Sequence, residues 1–112
     1  MNAGIFLDSN ILIYAHDADE DENYRLADRW VQGFWLREDL PTISIQVLQE
    51  FYTVMERKSG HARIYREVVE HYLKFWPVVE NTRDLLNTAL ENQQRYQLSF
   101  WDANIVAAAQ LS

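Results

Sequence analysis

A chain of 112 residues has the length of one small domain, against a typical ~100–200 residues per domain. With 48% apolar and 13% aromatic residues, and only 3 Gly and 2 Pro, the composition excludes disordered, collagen-like and low-complexity classes, and the lack of cysteine excludes disulfides, thiolate metal sites and a Cys nucleophile. The net charge of -7 argues against a phosphate-rich partner, yet five of the 17 acids (Asp17, Asp19, Glu20, Asp21, Glu22) fall in the single stretch HDADEDEN, without which 12 acids face 10 bases.

Along the chain, Ala3 to Leu7 is a short apolar run that stops at Asp8, and Ile11 to Ala15 resumes it, the pattern of a buried strand turning directly into a helix. After the acidic stretch, read as a solvated loop, Tyr24, Leu26, Ala27, Trp30, Val31, Phe34 and Trp35 recur at intervals of three and four, which predicts an amphipathic helix running towards Pro41. PTISI predicts a second strand, and Val47, Leu48, Phe51, Tyr52 and Met55 a helix that ends near Ser59 and Gly60. Ile64, Val68, Val69, Tyr72, Leu73 and Trp76 repeat the helical period. Pro77 to Val79 supplies a third strand, and Asn81 or Thr82 caps a helix through Leu85, Leu86, Ala89 and Leu90. The last stretch, SFWDANIVAAAQLS, opens on Ser99-x-x-Asp102, which resembles a capping box. Strands alternating with helices, and strands too apolar to have a wet face, predict an α/β fold: a parallel sheet in a three-layer α/β/α arrangement, with residues 1–112 forming one domain. No apolar run approaches the roughly 18 residues of a membrane span, and the start lacks a basic n-region or cleavage site, so a soluble cytoplasmic protein is expected.

In open α/β sheets ligands bind at the carboxyl ends of the strands. Asp8 ends the first strand, Glu50 lies in the first turns of the helix after the second, and Asp102 stands at the start of the last helix. Each sits in an apolar surround (FLDSNIL, VLQEFY, FWDANIV), where an unpaired carboxylate is costly to bury. A hard divalent cation such as Mg²⁺ or Mn²⁺ takes carboxylate and water oxygens and would relieve that cost. Each acid also has a local explanation: Asp8 as a helix cap, Glu50 as a solvent-facing helix residue, Asp102 as the partner of Ser99 in a capping box. His16, His61 and His71 lack metal-ligand spacing and read as surface or loop residues. No Ser/His/Asp triad, nucleophile elbow or phosphate-binding glycine loop can be assembled.

FLDSNILIYAHDADEDEN, then an amphipathic helix, then TISIQVLQEFYTV, and finally LSFWDANIVAAA resemble, in order and spacing, the successive motifs of the PIN domain family, most closely its small VapC-type ribonuclease toxins. The resemblance implies a PIN-like fold and a metal-dependent endoribonuclease in which Asp8, Glu50 and Asp102 match the acidic metal ligands and Asn10 and Ser99 match polar positions beside them. It further implies Mg²⁺ or Mn²⁺ as cofactor, RNA as substrate, a homodimer, and a small antitoxin protein as partner. Arg57, Lys58, Arg63 and Arg66, around the Ser59–Gly60 turn, form the best basic cluster for an RNA backbone, with solvated helix ends as the alternative. Members of the family usually carry a fourth acid beyond the next strand. This chain stops before it, inside an apolar Ala-rich helix, so the chain reads as C-terminally incomplete, the alternative being a naturally short protein with an incomplete metal site.

Two competing readings remain at this point. One is a degenerate PIN-like module that binds RNA or protein without cutting. The other is an aspartyl-nucleophile phosphatase, which needs a second Asp where this chain has Asn10. The 4 Trp, 6 Tyr and 5 Phe exceed what so small a core hides, so some of Trp30, Phe34, Trp35, Tyr65, Tyr72, Phe75 and Trp76 are expected at an interface.

Overall fold

The computed structural model describes residues 5–17, 21–35 and 40–111, leaving aside the side chains of residues 21–23, 27, 30, 34 and 35. The elements run α1 (Ser9–His16), α2 (Asp21–Trp35), β1 (Ile43–Ser44), α3 (Ile45–Ser59), α4 (Ala62–Phe75), β2 (Val78–Val79), α5 (Arg83–Tyr96) and α6 (Phe100–Leu111). The sheet is parallel as expected, with Ile43 opposite Val78 and Ser44 opposite Val79. On the other edge of β1 the first apolar run pairs through a parallel Phe6–Thr42 bridge, in which Leu7 N–H donates to Thr42 C=O (3.0 Å) and Thr42 N–H to Ile5 C=O (2.8 Å). β1 is shorter than the PTISI run that announced it, because it passes into α3 with no loop. Ser44, the last residue of β1, is already the N-cap of α3 and accepts from Val47 N–H at 3.1 Å. The β-branched Ile45, expected to extend the strand, therefore begins the helix.

Alternation along the short strands divides the side chains between two cores. Leu7, Ile43 and Val78 join the larger one, with Leu12, Val47, Phe51 and Tyr72 from α1, α3 and α4. Phe6 and Val79 also reach a smaller one on Leu85, Ala89, Ala107 and Ala108 of α5 and α6. The sheet thus lies between helices on both faces, the three-layer arrangement predicted. Gly60 ends α3 in the left-handed region (φ 70°), which a residue without Cβ adopts freely.

Several local expectations change. Asp17 is buried and ion-paired with Lys58 (2.6 Å), so the acidic stretch is not uniformly a solvated loop, and α2 begins at Asp21, inside that stretch. Asp19 and Glu20 lie outside the described residues. Tyr72 and Trp76, four residues apart, face the core together with their rings 4.9 Å apart, Tyr65 is partly buried, and only Phe75 of that group is exposed. The side chains of Trp30, Phe34 and Trp35 are outside the described set. His16 is not a surface histidine: it is half-buried, with Nε2 3.1 Å from the Tyr72 hydroxyl and its ring 5.1 Å from that of Phe51. His61 and His71 are exposed. Among the described residues no helix is long and apolar enough to cross a membrane.

Candidate active site

The turn from the first strand into α1 places Asp8 as helix N-cap, where its Oδ1 accepts from Ser9 N–H at 2.6 Å. The cap is therefore real, but it occupies one oxygen and leaves the carboxylate exposed. Ser9 itself is only 3% exposed, and its hydroxyl lies between two acids, 2.8 Å from Glu50 Oε2 and 3.2 Å from Asp8 Oδ1. A hydroxyl has one proton. The shorter contact assigns it to Glu50, while the Ser9 amide serves Asp8.

Glu50 lies one turn after Gln46 on α3, and Gln46 Nε2 donates to its Oε1 at 2.7 Å. Gln46 is 3% exposed, and its own carbonyl accepts from Asn104 Nδ2 of α6. Both carboxylate oxygens of Glu50 thus have a neutral donor, and the two amides of Asn104 and Gln46, linked in series, fix its direction from across the fold. Glu50 is consequently a half-buried, oriented group rather than a solvent-facing one. Ser9, Gln46 and Asn104 escaped sequence reading. Ser9 stands inside the D-S-N triplet, a legible position, but nothing in the pattern links Gln46 to a residue 58 positions away.

The third acid, Asp102, sits in the first turn of α6, where Ser99 Oγ accepts from its backbone N–H at 3.1 Å. Its carboxylate is exposed and has no hydrogen bond among the described residues. Asp8, Asn10, Glu50 and Asp102 line one open cleft of ≈ 430 Å³, walled by Trp101 and Ile105. Ser99 caps α6 and does not line the cleft. Arg57, Lys58, Arg63 and Arg66 do not line it: Lys58 is held by Asp17, and the three arginines are exposed at the far end of α3 and on α4. Arg83, at the start of α5, instead lines an adjoining cleft of ≈ 430 Å³ with Gln46, Gln49 and Asn104.

The donor set fits a hard divalent ion. Mg²⁺ is commonly held by one or two carboxylates and completes its shell with water and phosphate oxygens. Asp8 and Glu50, gathered around one hydroxyl, are such a pair, and Asp102 lines the same cleft from α6. Among the described residues no three His, Asp or Glu side chains are close enough to enclose an ion alone, so water would supply most of the shell.

The family model of the PIN domain matches residues 5–112. No curated protein sequence matches the chain. Among solved structures, the Mycobacterium tuberculosis VapC20 toxin, described as cleaving the sarcin-ricin loop, is similar with a TM-score of 0.77 and 26% identity, over 96% of this chain and 82% of that one. A toxin-antitoxin complex from Klebsiella pneumoniae is similar with a TM-score of 0.69 and 25% identity, over 97% and 79% of the two chains. The fold, the order of the acidic motifs and the family match together mean that the chain belongs to the PIN domain family.

Proposed function

We propose that this protein is a metal-dependent endoribonuclease acting as the toxin of a toxin–antitoxin pair, with Asp8, Glu50 and Asp102 as the groups that hold Mg²⁺ or Mn²⁺. The observation that carries the reading is the shared cleft of the three carboxylates, two of them meeting at the buried Ser9 hydroxyl. The likeness to the two toxin structures supports both the nuclease and the antitoxin partner. The ion, when bound, supplies an acidified, positioned water and neutralises charge developing on the phosphoryl group.

The chain's own residues prepare that chemistry. Ser9 donates to Glu50 and keeps the two neighbouring carboxylates apart and oriented before any ligand arrives. Gln46 holds the second Glu50 oxygen, so the side chain cannot swing out into solvent. Such supporting hydrogen bonds typically change metal affinity or activity by about 10–100-fold. Asp102 and Asn10 line the cleft where the phosphate would enter. A homodimer and a cytoplasmic location belong to the same proposal.

The test is Asp8→Asn. Asn caps a helix about as well as Asp, so the fold should stay intact or gain slightly from reduced repulsion, while divalent-dependent RNA cleavage is lost. Undiminished cleavage by this variant with Mn²⁺ supplied would sink the assignment. A catalytically degenerate binding module would instead show no stabilisation of the unmodified chain by Mg²⁺ or Mn²⁺.

A further inference from the structure

Trp101 is 63% exposed, the most exposed of the large apolar side chains among the described residues. A position beside Phe100, with the two rings 5.3 Å apart at 70°, does not hide it, because Phe100 turns towards the smaller core while Trp101 turns outward. It borders three clefts at once. One is the acidic cleft; the second, of ≈ 430 Å³, carries Arg83, Asn81 and Gln49; the third, of ≈ 540 Å³, carries Asn10, Gln49 and Thr53. The indole is therefore a ridge between a site for a metal-bound phosphate and a site with a guanidinium and several amides.

The clefts that flank the ridge combine apolar side chains, Ile13 and Val54 on one side and Leu85 and Leu86 on the other, with a few amides and hydroxyls, the Glu50 carboxylate and one guanidinium, the mixture usual for small-molecule sites. That set suits a nucleotide. Every base has a face that stacks on an aromatic ring, amides can meet its edge, and Arg can take the next phosphate. The volumes fall within the roughly 300–1,000 Å³ of small-molecule sites. A base inside a duplex offers no free face, so only an unpaired nucleotide could use the platform.

On the nuclease reading above, we propose that Trp101 is a stacking platform for one unpaired nucleobase next to the cleaved phosphate, with Arg83 holding the neighbouring phosphate on the far side of the ridge.

The test measures binding, not cleavage. A fluorescent 2′-O-methyl decaribonucleotide of mixed sequence, and a blunt duplex of the same strands, are titrated by anisotropy in Mg²⁺ with the unmodified chain and with Trp101→Ala, Trp101→Leu and Trp101→Phe. Circular dichroism confirms that each variant is folded. Removing a stacked base partner should weaken single-strand binding by about 5–150-fold in Trp101→Ala. Trp101→Leu should lose about as much, Trp101→Phe should retain most of the affinity, and weak duplex binding should not respond. Single-strand affinity unchanged in Trp101→Ala, or absent in the unmodified chain, overturns the platform. Leu restoring full affinity also overturns it, since the ridge would then be an apolar contact of the kind an antitoxin peptide makes. The outcome is independent of the Asp8→Asn cleavage assay: strand binding can respond to Trp101 even if cleavage does not respond to Asp8.

Discussion

Asn104→Leu tests whether the amide chain behind Glu50 is a structural unit. Asn104 is 7% exposed and donates to the carbonyl of Gln46, which is 3% exposed. Leucine fills a similar volume but leaves that buried carbonyl without a partner, at a cost of about 1–3 kcal/mol. Leucine's better helix propensity returns a few tenths of a kcal/mol, so a net loss of about 1–2 kcal/mol is expected. For a domain of 112 residues that is a fall in Tm of about 4–8 °C, read from thermal unfolding followed by circular dichroism. The diagnostic comparison adds Gln46→Met. Once the carbonyl is gone there is nothing left to orphan, so Asn104→Leu should cost far less in the Gln46→Met background than alone. Additivity of the two substitutions within about 0.5 kcal/mol, or an unchanged Tm in the single variant, would refute the reasoning.

The other expectations concern stability. Burial pushes His16 below its ordinary value of 6.5, only partly opposed by Asp28. The unfolded chain therefore binds a proton that the folded chain resists, and stability should fall as pH drops through 6.5, levelling once the folded value is passed. His16→Gln, which can still reach the Tyr72 hydroxyl, should flatten the Tm profile between pH 7.5 and 5.5, and a slope that persists in the variant would point elsewhere. Gln97 ends α5 with φ 54°, a conformation that strains a side-chain-bearing residue. Gln97→Gly should raise stability by about 0.5–1 kcal/mol, and a lower midpoint in urea would contradict this.

The helices were legible because their signals are local: capping side chains at Asp8, Thr82 and Ser99, an αL glycine at position 60, and apolar residues at helical spacing. The strands were located correctly but overestimated, since an apolar β-branched run cannot tell how early its last residue is recruited as a helix cap. The three acids were picked out because they stand at strand-to-helix junctions. The supporting amides were not, because Gln46 and Asn104 look like ordinary polar helix residues until the fold brings two helices 58 positions apart into contact. The basic cluster at 57–66 was chosen for sequence proximity, whereas Arg83, isolated in the sequence, is the cation that lines a cleft beside Trp101.

The two cores on opposite faces of the sheet set a condition on the cleft itself. Asp8 and Glu50 are mounted on helices that belong to the larger core, whereas Asp102 rides on the pair α5 and α6, whose smaller core of Leu85 and three alanines packs against Phe6 and Val79. The acidic cleft is thus a seam where the two cores meet, joined beneath it by Phe6, which packs on both, by Ile105 and by the Gln46–Asn104 hydrogen bond. Anything that bridges the seam ties the α5–α6 pair more firmly to the larger core, and its binding energy is added to the contacts that already join them.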